Sequence, residues 1–375
     1  MPAARPITGT NLVGGTPYSA NAWGDGTHDD TTVLQAALTA CGLINIPSGT
    51  YRTTSTLTIP ANSGSGMIGD AVGYVTTGAA NNVGVTIYAD FTGSNAINNN
   101  CANPTIKRME VYRHGTAAAG VYGVDMGAAN VNGVIEDVMS WGHNKGFYLR
   151  ASGAAVCEGC HAESNASDGF VIEGPWALSQ TMSQDSGGRG YVLQGTTDSG
   201  DLDGLSEFQS AGNSMDITTM KNVRLTNSFF GGSTTGTAYG ITCTNTNAAG
   251  KNNQFTHCYA EGIPQYAMFF GANTRENFLT NTVAGANAGG ILNSSAALTV
   301  QGGWCTGANT NAYNVLVTAG TVLIAGMFGS SAVGNPNYGI GATVAATFLT
   351  AIGNYISLNS TPTDINCANS QIGNY

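Results

Sequence analysis

A short phrase of the form X-Gly-apolar recurs down this chain at nearly constant spacing, and it restricts the fold more than any other feature. It reads Tyr122-Gly123-Val124, Lys145-Gly146-Phe147, Asp168-Gly169-Phe170 and Arg189-Gly190-Tyr191, then Tyr239-Gly240-Ile241, Gly289-Gly290-Ile291 and Tyr338-Gly339-Ile340. The first four glycines are 23, 23 and 21 residues apart (146−123, 169−146, 190−169). Ser214-Met215 halves the gap of 50 from Gly190 to Gly240, and Ala267-Met268-Phe269 and Asn314-Val315-Leu316 continue the series with steps of 27, 23, 24 and 25. A period of this length marks an internal repeat.

A second phrase keeps step with the first: Val156 to Glu163, Leu178 to Asp185 and Gln254 to Glu261, with later copies at Asn277-Phe278-Leu279-Thr280 and Thr347-Phe348-Leu349-Thr350. Aligned end to end, these copies put Cys160, Met182 and Cys258 at one inward position. Each unit holds two or three apolar segments of three to five residues separated by Gly, Asn, Ser and Thr. Such segments are too short for helices, and no unit buries its apolar side alone. Stacking the units solves both problems, because each strand then pairs with its equivalents above and below. The expectation is an all-β, single-stranded right-handed parallel β-helix of roughly eleven turns, each rising about 4.8 Å.

Fifty-three Gly with only 9% charged residues would also suit disorder, but 42% of residues are hydrophobic and fall in register. An ordered solenoid forming one domain follows. The net charge of −10, with 12 Lys and Arg, argues against nucleic acid and against an anionic membrane surface. No apolar run is long enough to span a bilayer, and the opening residues Met1 to Pro6 lack the apolar core of a signal peptide. Eight Cys in a chain of 375 residues do not read as a disulfide framework. Cys157-x-x-Cys160 has no second pair with matching spacing, so the cysteines are expected to pack inside as small hydrophobes.

In chain order, residues 1–22 read as an irregular arm, 23–70 as a capping helix and first turn, and 71–375 as the coil. Asp29 or Asp30 begins a helix whose apolar face is Val33, Leu34, Ala37 and Leu38. Such a helix closes the open end of a coil. The run Gly24-Asp25-Gly26-Thr27-His28-Asp29-Asp30-Thr31, followed by Leu34-Gln35-Ala36-Ala37 and Ile46-Pro47-Ser48-Gly49-Thr50-Tyr51, resembles the opening signature of the pectate-lyase-like superfamily. That group includes polygalacturonases and bacteriophage tailspike depolymerases. The Asn-Thr-Asp, Asp-Asp, Gly-His-Gly and Arg-Ile-Lys motifs expected of polygalacturonases are missing, Thr197-Asp198 being the nearest approach. No arginine base among calcium-binding aspartates is recognisable either. The resemblance that remains is to tailspike and capsular-polysaccharide depolymerases. It implies a polysaccharide substrate, a homotrimer, and a virion or extracellular location, with no required cofactor and calcium as an option.

Strand alternation suggests where a site lies. If Cys160 and Ala162 point inward, His161 and Glu163 point outward, and the aligned copies make Ser183 and Asp185 their equivalents one turn on, with Tyr259 and Glu261 further along. The next repeat carries an insertion, Thr197 to Gly204, that contributes Asp201 and Asp203, with Glu207 just after. The functional reading gathers Glu163, Asp185, Asp201, Asp203 and Glu207 around one groove with His161 at its edge. The plainer alternative is a solvated acidic turn or a calcium clip. Two carboxylates suffice for glycoside hydrolysis when one stays protonated, about 5 Å apart for retention and roughly 6.5–9.5 Å for inversion. Tyr259, Glu261, Trp141, Trp176, Arg189 and Lys145 are candidates for holding sugars. A lyase using His161 or Tyr259 as base, and a glycan-binding spike without chemistry, are the competing classes.

Overall fold

The computed structural model describes residues 5–13, 16–62, 64–72, 84–195, 198–244, 252–272, 274–286, 289–307, 313–331, 338–343, 346–357, 361–365 and 370–374. The chain is a right-handed parallel β-helix of about twelve turns, one more than the repeat count suggests. It divides into two compact units, Met1–Gly187 and Gly188–Tyr375.

The first unit opens differently from expectation. Residues 5–22 form no irregular arm but an antiparallel hairpin, Arg5–Val13 with Thr16–Ala22, whose first strand also pairs with Leu43–Ile46. The Gly14-Gly15 pair between the two runs is the sequence mark of a hairpin. The one helix among the described residues, Thr31–Cys41, buries Leu34, Ala37, Leu38 and Cys41. Asp30 holds the N-cap position but makes no side-chain cap bond, while the carboxylate of Asp29 before it accepts the Thr31 N–H at 3.0 Å. Asp30 is fully buried and instead ties the preceding turn, accepting the Trp23 and Gly24 N–H groups at 2.7 and 3.0 Å.

Each later turn of the first unit gives one strand to a ladder sheet, which carries the repeated glycine phrase, and one bent or two short strands to a second, bent sheet. The ladder sheet runs Leu57–Ile59, Ile97–Asn99, Tyr122–Asp125, Lys145–Arg150 and Phe170–Glu173, all parallel. In the bent sheet the chain turns at Asp137, Gly159 and Gln180, whose φ values are 53, 62 and 52°. That left-handed conformation turns the chain within a residue or two, and Asp and Gly tolerate it best. The second unit repeats the scheme, with ladder strands from Tyr191–Gln194 to Thr361–Ile365 and bends at Gly204, Asn227, His257 and Asn281.

The glycines of the recurring phrase answer to space rather than to dihedral angle. A Cβ on Gly146 would lie 2.5 Å from the Gly169 carbonyl oxygen and 2.9 Å from the Ala162 Cβ. On Gly240 and Gly290 it would meet the carbonyls of Ala267 and Asn314 at 2.4 and 2.6 Å. The ladder strand enters these turns against the strand above, and a side chain at Gly146, Gly240 or Gly290 would collide with backbone, whereas other turns carry Ser214, Ala267 and Asn314 at the equivalent position. Inside the coil, like residues stack: the Phe147 and Phe170 rings lie 4.8 Å apart and nearly parallel. Cys41, Cys101, Cys157, Cys160, Cys243, Cys258 and Cys305 are all buried and unbridged.

Candidate functional site

The strand His161–Glu163 pairs with Met182–Gln184 in the register His161 to Met182, Ala162 to Ser183 and Glu163 to Gln184. This is one residue off the expected alignment. Cys157 faces Leu178 across the neighbouring pair, so the second copy of the phrase begins one residue earlier than its end-to-end alignment with the first. A slip of one residue exchanges inside for outside. Ser183 is therefore buried in the coil below Ala162, and Met182 is the partner of His161 rather than of Cys160. Asp185 is not on the strand but in the bend after it, exposed, with φ 50°.

Glu163 stands on the outward face and is 24% exposed. The same outward column, followed strand by strand towards the N-terminus, holds Trp141, Tyr112 and Tyr88. The Tyr88 and Tyr112 rings are stacked at 5.6 Å between centroids, and the Trp141 ring lies tilted against Tyr112 at 5.0 Å. Trp141 is half-buried, and its strand position pairs with that of Glu163. Burial pushes the Glu163 carboxyl above its usual range, and the charge of Asp185 adds to the effect. His161 lies two residues before, its Nε2 at 3.8 Å from the Glu163 carboxylate. Burial lowers the His161 pKa to about 4, so the ring is neutral at neutral pH. Another acid lines this face unforeseen: Glu110, wholly buried two residues before Tyr112, accepts the Thr86 hydroxyl at 2.9 Å. The pattern Thr86-Ile87-Tyr88, Glu110-Val111-Tyr112, Met139-Ser140-Trp141 would have exposed the aromatic column, since the ring recurs at one alternating position.

The remaining acids do not assemble as expected. In the second unit Asp201 and Asp203 belong to a strand of the bent sheet, Asp198–Asp203, paired with Lys221–Thr226, rather than to a projecting loop; Thr197 lies outside the described residues. Asp201 is exposed and pairs with Arg224 at 2.8 Å. Asp203 accepts hydrogen bonds from the Thr226 hydroxyl at 2.6 Å and the Asn227 amide at 2.8 Å, which hold its carboxyl below the usual range. Neither is left facing a shared ion.

Glu207 points into the coil, fully buried, where the Ser210 N–H donates to Oε1 at 2.8 Å. Burial raises its pKa above the ordinary 4.5. The folded state therefore favours the protonated acid, and its contribution to stability is complete below pH 4.5 and lost as pH rises through the raised value. Glu207→Gln should remove that loss. Urea midpoints at pH 5 and pH 8 should fall closer together than in the parent, with the variant ahead at pH 8; an unchanged gap would mean the carboxyl is already ionised in the fold.

Among the proposed sugar contacts, Trp141 lies half-buried on the outward column. Trp176 does not: it is 1% exposed and packs in the core, because it occupies the inward position opposite Ala155. Tyr259 and Glu261 share an outward face in the second unit, the Tyr259 hydroxyl bonded to Glu261 and its ring stacked on Phe229 at 5.3 Å. Arg189 pairs with Asp216 at 3.3 Å. Lys145 lies on the ladder sheet, paired with Asp168 at 3.2 Å.

That ladder face of the first unit carries a network that the repeat analysis passed over. Arg150 grips Asp125 with one nitrogen at 2.8 and 2.9 Å and lies 4.4 Å over the Tyr148 ring, and the Tyr148 hydroxyl donates to Glu173 at 2.7 Å. Asn95, Asn98, Asp125 and Arg150 line a cleft of about 430 Å³. The position two residues after each ladder glycine, Asp125 and Tyr148, was the available signal. Here the carboxylates are already committed to Arg150 and Tyr148. Among the described residues no hydrogen bond ties Glu163, whose carboxylate lies 3.8 Å from the His161 Nε2.

No protein-family model and no curated protein sequence matches the chain. Solved structures do. DFA-IIIase from Arthrobacter chlorophenolicus A6 superposes with a TM-score of 0.55 at 9% identity, over 92% of this chain and 96% of that one. Tailspike protein 3 of bacteriophage CBA120 gives 0.54 at 12% identity, over 91% of this chain and 57% of the tailspike. The A-module of the mannuronan C-5 epimerase AlgE4 of Azotobacter vinelandii gives 0.50 at 13% identity, over 94% and 97%. The fold is the pectate-lyase-like parallel β-helix. At these identities the likeness to other parallel β-helix proteins is one of backbone course, and the residues of the site have to be argued from their own surroundings.

Proposed function

We propose that the protein is a polysaccharide depolymerase acting as a glycoside hydrolase, with Glu163 as general acid and Asp185 as the ionised partner. The observation that carries this reading is the pair of environments. Burial raises the pKa of Glu163, on the strand next to Trp141, and the charge of Asp185 adds to it, which favours the protonated acid, whereas Asp185 lies exposed in the bend after the next strand. In this mechanism Glu163 gives its proton to the glycosidic oxygen as the bond to the anomeric carbon breaks. Asp185 lies one turn on, one residue beyond Gln184, the strand partner of Glu163; carboxyl groups about 5 Å apart go with a retaining route and roughly 6.5–9.5 Å with an inverting one. Retention would need Asp185 to bond the anomeric carbon and water to release it, with Glu163 then taking the proton of that water. No cofactor enters these steps. The named neighbours, a DFA-IIIase, a tailspike and a mannuronan epimerase, fit a carbohydrate-active protein. With the tailspike likeness go a homotrimer, measurable by sedimentation, and a virion or extracellular location.

A panel of bacterial and plant polysaccharides tests the reading. Reducing ends should rise without absorbance at the unsaturated-uronate band. Absorbance rising with them would favour a lyase instead, with the neutral His161 ring as base; silence on glycans that the protein measurably binds would leave a binding spike.

Trp141→Ala should rehydrate Glu163. Its pKa then falls, and the alkaline limb of the kcat/KM profile, where the acid loses its proton, moves to lower pH. A profile that keeps its alkaline limb would remove Trp141 from the site.

A further inference from the structure

We propose that the first unit holds a small inorganic anion of the chloride class inside the coil, against the guanidinium of Arg113. This residue ends the strand Thr105–Arg113 beside Ala89 and is 1% exposed. Its Nη2 donates to the Ser94 carbonyl at 2.8 Å, and its charged plane lies 5.0 Å from the Phe91 ring. Among the described residues no carboxylate pairs with it, and its Nε and Nη1 are buried without a hydrogen-bond partner. His143 closes the same corner. It is also buried, its Nε2–H donating at 3.1 Å to the carbonyl of Val111, two residues before Arg113, which leaves Nδ1 an acceptor that offers no proton to an anion; of these two side chains the donors are those of Arg113 alone.

A guanidinium taken out of water without a counter-charge is costly, and a cation–π contact offsets only part of that cost. A water molecule would satisfy the N–H groups but leave the charge. An anion does both, and it has to be small because the corner is closed to solvent.

The test uses the intact protein purified in gluconate, a large anion that such a corner excludes. Replacing gluconate by chloride at constant ionic strength should raise the thermal midpoint by about 5 °C, and crystals grown in bromide should show an anomalous peak beside Nε or Nη1. Arg113→Met should abolish the chloride dependence. Equal midpoints in the two salts, or water density without anomalous signal at Arg113, would overturn the proposal. If Arg113→Met does not fold, the bromide experiment on the native protein decides alone.

Discussion

Glu163→Gln should lower kcat on a cleavable glycan by about 10³-fold, within the 10²–10⁴-fold range of a positioned general acid, while leaving the thermal midpoint close to that of the parent. Glutamine keeps the shape and removes the proton that has to reach the glycosidic oxygen. A substrate whose leaving group needs no proton, such as an activated aryl glycoside of the same sugar, should lose far less. That contrast separates a missing acid from a disturbed groove. Asp185→Asn should cost a similar factor on both substrates, because it removes the ionised partner rather than the proton. Full activity of Glu163→Gln on the polysaccharide would sink the assignment, and equal losses on both substrates would recast Glu163 as a positioning residue.

Gly146→Ala should destabilise the protein by about 3 kcal/mol, the upper part of the usual range for overpacking. The new methyl would stand 2.5 Å from the Gly169 carbonyl oxygen. That oxygen cannot withdraw without cost, since it accepts the Phe147 N–H at 2.9 Å in the ladder. For a unit of this size the loss corresponds to roughly 6–12 °C in thermal midpoint. Gly93→Ala is the control, because a Cβ there meets nothing within 4 Å, and it should move stability by less than about 0.5 kcal/mol. Similar losses in both variants would mean that glycine matters here through chain flexibility, not through the space between turns.

The aromatic column and Glu163 give these two expectations a common origin. The coil is rigid because each turn is clamped by the next, and that rigidity holds Trp141 in line with a carboxyl group instead of letting water in. Loosening the ladder at Gly146 should therefore also weaken the bias on Glu163, whose strand is the second one reached on the same turn.

How much of this could be read beforehand differs residue by residue. The solenoid was visible because its period is written mostly in glycines, and those have a local cause: on those turns the neighbouring strand leaves no room for a Cβ. The capping helix was visible for the same kind of reason, its apolar residues recurring at helical spacing before the first turn. The outward position of Glu163 followed from alternation within its own strand. Asp185 and Met182 were misplaced because their register depends on pairing with another turn, and two similar phrases can be aligned one residue apart without any local penalty. Glu207 and Trp176 were assigned to the surface for their chemistry, although each sits at an inward position that only strand pairing defines.

The sequence by itself determined that the chain coils, roughly how many times, and that its few charges gather on particular turns, because these are consequences of a repeat. Tertiary structure alone decided which of those charges are free. Asp125 is held by Arg150, Asp201 by Arg224 and Glu173 by Tyr148, while Glu163 is left desolvated beside a ring. Each of these partners comes from a neighbouring turn about 25 residues away in the chain, and the balance of desolvation against pairing that sets a carboxyl group's charge exists only once those turns are stacked.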